Sequence, residues 1–415
     1  MKNRFIGNTG LQAIPAETEG QIIEIEDEKY YRISNYHLMP DFFITIVSDS
    51  DHWMYISSNG SLSAGRKNRD NALFPYYTVD KIHDYRDKTG SKTVCLVSKD
   101  NRTYLWEPFA CDFEKFYRIE RNLYKSIFGN KIIFEERNLD LEVSFSYGWY
   151  NSEKFGWIKK SSLKTTSEKG IKINILDGIR NILPYGIDFA FQNEYSNLLE
   201  AYRRNELLPQ SKLGLYVLSS IPTDTAEPSE ALKATAVWSV VEGSDAGYLI
   251  SDKQLESFKT GGEIRTESEV FASRGAYYIV NEYQLSKNQE KCWYIIADVN
   301  KDSRDVVNLD AWIKGEKNHA LRLKEDIAAG TLKLVRIVAG ADGLQMGNDG
   351  LINARHFSNT LFNVMRGGIF SDNYRIETDD FRLFVQHCNK EISGQFMAEL
   401  SNLPDEINFD ELLAM

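Results

Sequence analysis

The sequence predicts a mainly β protein with helices at its C-terminal end. Three observations carry this. Hydrophobicity alternates with a period of two to about residue 300, and aromatic residues make up 12% of the chain, with 22 Tyr, 22 Phe and 7 Trp. After Asn300 the period changes to three and four. Alternation marks half-buried strands, the longer period marks amphipathic helices, and aromatic side chains suit a pleated surface. The expected arrangement is a large β-sandwich over residues 1–300 and a helical linker segment over residues 301–415.

The first candidate strands are Phe42 to Val47, Trp53 to Ser57, Thr93 to Val97, Thr103 to Trp106 and Lys131 to Glu136. "LEVSFSYGWY", Leu141 to Tyr150, alternates almost strictly. Leu213 to Ile221, Ala234 to Val241, Ala276 to Leu285 and Cys292 to Val299 are β-branched or aromatic runs bounded by Gly, Asn, Asp, Ser or Lys clusters. So many short strands imply a sandwich larger than an immunoglobulin domain. One helical interruption is predicted at Asn193 to Leu208. In the tail, Asp302 or Ser303 is the expected cap of a helix. "NHALRLKEDIAAGTLKLVRIVAG" carries Leu321, Ile327, Leu332, Leu334 and Val338 on helical spacing. Asp349 is a candidate cap for the next segment, and a last helix is predicted from Thr378 or Asp379 to Leu400.

A length of 415 residues can bury one large core or two ordinary ones, and a net charge of −11 argues against a nucleic-acid partner. The one basic cluster, Arg66-Lys67-Asn68-Arg69, is followed at once by Asp70 and reads as a solvated turn. The N-terminus lacks the apolar stretch of a signal peptide, and no run approaches the roughly 18 apolar residues that span a membrane. Cys95, Cys111, Cys292 and Cys388 are far apart, which predicts reduced, buried thiols and a cytoplasmic location.

Catalytic signatures are mostly missing. No glycine-rich phosphate cradle and no nucleophile elbow occur, and "KTGGE" and "GADG" read as turns. The six histidines show no metal-ligand spacing, so no metal is expected. Glycosidic chemistry needs two carboxyl groups placed in space, and 60 acidic residues offer no way to choose a pair by spacing.

Three stretches stand out by composition. Trp53 to Asp84 runs from a strand through a Gly-Ser loop to Tyr76-Tyr77. Arg102 to Phe109 sets Trp106 and Phe109 about a proline. Ser219 to Trp238 is an extended proline-containing loop leading into a strand. Aromatic platforms between polar loops suit sugar faces. The plainer reading is edge and corner residues of a sandwich. "GRKNRDNALFPYYTVDKIHD", "LSSIPTDTAEPSEALKAT" and "HFSNTLFNVMRGGIFSDNYRIETDDF" together resemble the N-terminal part of the cellobiose and chitobiose phosphorylase family, in order along nearly the whole chain.

The resemblance implies a galactose mutarotase-like β-supersandwich, then helical linkers, then an (α/α)6 barrel holding the catalytic Asp and the phosphate site. That barrel would fall beyond Met415, so this chain is expected to be non-catalytic alone. No organic cofactor is implied, and inorganic phosphate would be the co-substrate of the full enzyme. The implied partners are an oligosaccharide or β-glucoside, the barrel in cis or as a separate chain, and a second copy in a homodimer. Trp106, Tyr76 and Arg366 are the candidate substrate-binding residues. Arg366 precedes Gly367-Gly368, a joint in the linker whose plainer role is to end a helix. Two other readings stay open: a carbohydrate-binding module, or a sugar epimerase, which would need a His and a carboxylate to converge, with His52, His83 or His356 available.

Overall fold

Strand Val143–Ser152 shows how alternation becomes architecture. Val143, Phe145, Tyr147 and Trp149 point into the core, leaving Ser146, Gly148 and Tyr150 on the opposite face. A computed structural model describes residues 4–6, 8–12, 17–193, 196–220, 233–242, 246–365 and 375–414. In it this strand lies inside an antiparallel sheet of eleven strands. From one edge the order is Glu269–Phe271, Arg203–Leu207, Gly214–Leu218, Lys233–Val240, Glu290–Asp302, Gly156–Thr165, Val143–Ser152, Ile132–Asn138, Ile119–Ser126, Glu28–Ser34 and Gly20–Ile25. The last long strand in the chain, Glu290–Asp302, therefore sits in the middle of the sheet, between Gly156–Thr165 and Lys233–Val240.

Two smaller antiparallel sheets cover one face of this one. Five strands centre on Ile171–Ile182 and Gly275–Leu285, and four run from Phe43–Ile46 to Ala72–Phe74. The main core fills the space between, with Ile56, Phe74, Val97, Phe145, Trp149, Ile173, Tyr277 and Trp293 among its buried members. A polar pin crosses it. Asp177 accepts from Lys159 Nζ at 2.6 Å, Thr93 Oγ1 at 2.6 Å, Trp293 Nε1 at 2.7 Å and Ser161 Oγ at 2.8 Å. Burial lowers the Lys159 ammonium pKa and Asp177 opposes that shift. Both side chains are fully buried, so each charge is viable only because the other is there.

The helices follow directly. Asp302 caps helix Ser303–Gly315 in a reciprocal box with Asp305, and Trp312 packs on Phe155 and Trp238. The long helix His319–Gly340 buries Leu323, Leu334, Ile337 and Val338, whereas Leu321 and Leu332 of the expected stripe face solvent. Asp349 Oδ1 accepts from the backbone of Leu351 at 2.9 Å and caps helix Gly350–Met365, which lays Phe357 on Phe128.

Three expectations are corrected. Residues 193–208 are not one helix, because Arg203–Leu207 is a strand paired with Gly214–Leu218. There the alternation of buried Arg203, Asn205 and Leu207 with Arg204 and Glu206 wins over helix propensity. The segment from Thr378 to Leu400 is broken into Thr378–Cys388, Lys390–Gln395 and Met397–Ser401. The first break is Asn389, whose extended backbone lets its side chain cap the next helix at Glu391 and Ile392. Of the four cysteines, all free, only Cys95 is buried. The prolines of Ser219 to Trp238 and the Arg366-Gly367-Gly368 joint lie outside the described residues. Among the described residues no helix is long and apolar enough to cross a membrane.

Candidate functional site

The outer face of the eleven-stranded sheet carries a groove of about 370 Å³. Its floor follows from strand register. Tyr294, Lys160, Gly148, Ile133 and Tyr124 stand side by side on five neighbouring strands. A second row sets Ser162, Ser146 and Glu135 abreast. Glu26, Glu28 and Tyr30 close one end, Glu290 lies at the other, and the long helix supplies Lys324, Ile327 and Ala328 as a wall. Tyr294 and Tyr30 are five strands apart along the sheet, yet Glu26 reaches Lys160 at 3.2 Å, so the sheet curls and its two ends face each other across the groove.

Gly148 is the one position here where lack of a side chain matters. A Cβ on it would lie 2.8 Å from Tyr150 Cε2 and 3.0 Å from Ile133 Cγ1. The Tyr150 ring thus folds back over the glycine and lies along the floor, as aromatic side chains do beside strand glycines.

Every carboxylate in the groove is engaged. Glu28 accepts from Lys131 Nζ at 2.7 Å and Tyr30 Oη at 3.0 Å. Glu26 accepts from Lys160 Nζ at 3.2 Å. Glu135 accepts from Tyr124 Oη at 2.7 Å and Asn122 Nδ2 at 2.8 Å. Glu290 accepts from Ser162 Oγ and, at 3.5 Å, Cys292 Sγ. Burial raises the phenols of Tyr30, Tyr150 and Tyr124, with help from Tyr150 and Glu28, from Glu26, and from Glu135 respectively. They stay protonated donors. Burial pulls the Lys160 ammonium down, but Glu26 and its neighbours outweigh that and the net shift is upward. Tyr150 is half-buried, whereas Tyr30, Tyr124 and Tyr294 are buried, so the groove offers one aromatic face together with neutral hydroxyls and paired charges. Such groups can hydrogen-bond and stack against a polar ligand.

Trp106 is not a platform. It is fully buried, and its Nε1 donates to Glu136 Oε1 at 2.7 Å. Glu136 also accepts from Arg121 Nε at 2.6 Å and the Phe109 backbone at 2.7 Å, so the residues about Pro108 are tied into the core. Tyr76 is half-buried and packs edge-on against Trp53 and Phe189 in another cluster, away from the groove. Arg366 lies outside the described residues. The histidines do not meet. His52 is buried with Nδ1 2.8 Å from Ser50 Oγ, His83 Nδ1 is 2.8 Å from Ser57 Oγ, and His356 Nε2 is 2.9 Å from the Asp342 carbonyl. Among the described residues, no His, Cys, Asp and Glu group is arranged to hold a metal.

His52 instead has a consequence for stability. Burial, then the charges of Arg66 and Lys301, push its pKa well below the ordinary 6.5, and burial brings His37 down to about 4. A depressed histidine contributes stability that is present above its unfolded value and is lost as pH falls toward the folded one. The wild-type Tm is therefore expected to drop on acidification below about pH 6.5 more steeply than that of His52→Asn. Parallel Tm–pH curves for the two proteins would contradict this.

The residues that sequence reasoning missed are Tyr30, Tyr124, Tyr150, Tyr294, Glu28 and Lys160. The signal for two of them was at hand, in the outward positions of "LEVSFSYGWY" and "CWYIIADV". Residues 370–415 match the family model of glycoside hydrolase family 149 insertion domain 1. No curated protein matches the sequence. Among solved structures the chain is similar to a bacterial glucoamylase complexed with acarbose, at 11% identity over 92% of this chain and 49% of that one, with a TM-score of 0.44. It is similar to a polysaccharide lyase, at 9% identity over 64% and 33% and a TM-score of 0.35. It is also similar to a galactose mutarotase-like protein from Lactobacillus casei ATCC 334, at 11% identity over 62% and 100% and a TM-score of 0.32. The chain spans about half or less of the length of the first two.

Proposed function

We propose that this chain is the sandwich-and-linker portion of a glycoside phosphorylase- or hydrolase-like enzyme, and that its groove holds a β-linked glucoside chain. The observation that carries the reading is the groove itself, in which Tyr150 lies over Gly148 amid tyrosine hydroxyls and carboxylates already paired with cations or hydroxyls. The match of residues 370–415 to a glycoside hydrolase family domain supports it. Bond cleavage belongs to groups outside these residues, in a barrel in cis or on a separate chain, with inorganic phosphate as co-substrate. A cytoplasmic, dimeric enzyme completes the proposal.

Cellopentaose is the first probe. It is expected to bind by calorimetry, and this chain alone is expected to release no sugar phosphate from it when phosphate is supplied. Cys292 gives an independent readout, since it is exposed beside Ser162 on the same strand as Glu290 and Tyr294. Burial and Glu290 raise its thiol pKa, so alkylation is run at mildly alkaline pH. Bound cellopentaose should slow alkylation of Cys292 several-fold and leave exposed Cys111 and Cys388 unchanged. Equal rates at all three with and without sugar would sink the reading.

A further inference from the structure

Arg203 begins its strand on the inward side, sharing a face with Asn205 and with Leu207 of the main core. Only 7% of it is exposed, and its Nε and Nη1 are buried without an acceptor among the described residues. A guanidinium stays charged across the working pH range, and a buried charge is tolerated where something pairs with it. Arg121 has the usual solution in this same molecule, the Glu136 carboxylate at 2.6 Å.

The surroundings of Arg203 add to the imbalance. The chain runs back beside it at residues 272–274, where the Ala272 amide donates to the Arg203 carbonyl at 3.0 Å and Asn205 Nδ2 lies 3.4 Å from the Ser273 carbonyl. Arg274 comes next, its side chain 58% exposed, with Glu200 at 4.0 Å. Two guanidiniums thus share one carboxylate, which leaves a surplus of positive charge. Burial draws Arg203 down to about 10, Glu200 opposes this and Arg274 adds to it, so Arg203 remains charged at neutrality. Tyr77 lies within electrostatic reach of both arginines, and burial pushes its phenol up to about 12, which keeps the hydroxyl neutral. Asn181 Nδ2 holds that hydroxyl at 3.4 Å and Thr89 Oγ1 at 2.8 Å. Asn181 itself sits at a register shift opposite Gly275 and Ala276, next along the chain from Arg274.

We infer that Arg203, Arg274 and Tyr77 form an oxyanion-binding site, with buried Arg203 at its base, exposed Arg274 at its mouth and the Tyr77 hydroxyl at its side. The ligand it fits is a phosphate or carboxylate group, whose oxygens accept from the unpaired Arg203 N–H groups and whose charge cancels the surplus. The groove lies on the opposite, outer face of the same sheet, so this site does not depend on what the groove holds.

Thermal unfolding of the full chain at about pH 6.5 tests the site, with inorganic phosphate and acetate as probes and sodium chloride of equal ionic strength as the blank. A probe that binds should raise the wild-type Tm by about 1–3 °C near saturation, and Arg203→Met should lose that rise. The difference in Tm between the two proteins then grows with the probe, whereas a purely structural arginine gives the same difference in every buffer. Arg274→Gln, a change at the exposed mouth, covers the case in which Arg203→Met does not fold. By calorimetry it should weaken binding of the same probe at least about threefold. A response to phosphate assigns the site phosphate groups, and a response to acetate assigns it carboxylates. No response to either probe, an equal response in Arg203→Met, or unchanged affinity in Arg274→Gln overturns the inference.

Discussion

Asp177→Ala is expected to cost about 3–5 kcal/mol of unfolding free energy, the loss that follows when one partner of a buried ion pair is removed. Four donors converge on this carboxylate, from Lys159, Thr93, Ser161 and Trp293. The substitution leaves the Lys159 ammonium in the core with only the Gly178 carbonyl, at 3.2 Å, as a hydrogen-bond acceptor. Such a loss is a large share of the roughly 5–15 kcal/mol that typically holds a domain together. The paired change Asp177→Leu with Lys159→Met should be less damaging than Asp177→Ala, because it removes both charges and returns apolar volume. Urea unfolding of the three proteins measures this. A loss below about 1 kcal/mol in Asp177→Ala would mean that water reaches the site.

Gly148→Val is expected to lower cellopentaose affinity by at least about tenfold, or about 1.4 kcal/mol. A Cβ at this position comes within 2.9 Å of the Tyr150 hydroxyl as well as 2.8 Å of its ring, so the ring must leave the floor. Ile133, 3.0 Å away on the neighbouring strand, blocks one escape. Valine is a better strand residue than glycine, so the local backbone gains while the platform is lost. Gly148 is buried, so the clash also lowers Tm, and affinity is compared well below the melting range of both proteins. Tyr150→Ala should reproduce the defect without a steric clash. Unchanged affinity in both variants would exclude the groove as the sugar site.

The strands legible in the sequence were of two kinds: Val143–Ser152 alternates apolar inward residues with mostly short or polar outward ones, and Gly275–Leu285 is an apolar and aromatic run, with Tyr277 and Ile279 in the main core and Ala276 and Tyr278 in a second cluster. Gly156–Thr165 escaped because "GWIKKSSLKT" sets Lys159 beside Lys160 and so breaks the alternation. Lys159 points inward only because Asp177 of another sheet receives it. Ile171–Ile182 hides Asp177 and Arg180 among apolar positions for a related reason, since a buried charge is explained only by partners far along the chain. The candidate site was less legible still. Trp106 was conspicuous by composition, yet an indole whose N–H has a buried acceptor is core. Tyr30, Tyr124, Tyr150 and Tyr294 come together through pairings across six strands that no local window contains.

The central position of strand Glu290–Asp302 has a consequence during synthesis. Ribosomes deliver the N-terminal residues first, and the half-sheet ending in Gly156–Thr165 has no neighbour on that side until residue 290 emerges. For that interval the strand is a raw edge, and raw edges recruit other chains. Its Lys160 and Lys164, on the face away from the core, make such recruitment less favourable by repulsion between nascent copies. The two halves join only through the last long strand, which pairs with Gly156–Thr165 on one side and Lys233–Val240 on the other, so their closure waits for it. Variants that weaken this strand should therefore show first as poor yield in the cell, before any purified protein reveals a lower melting point.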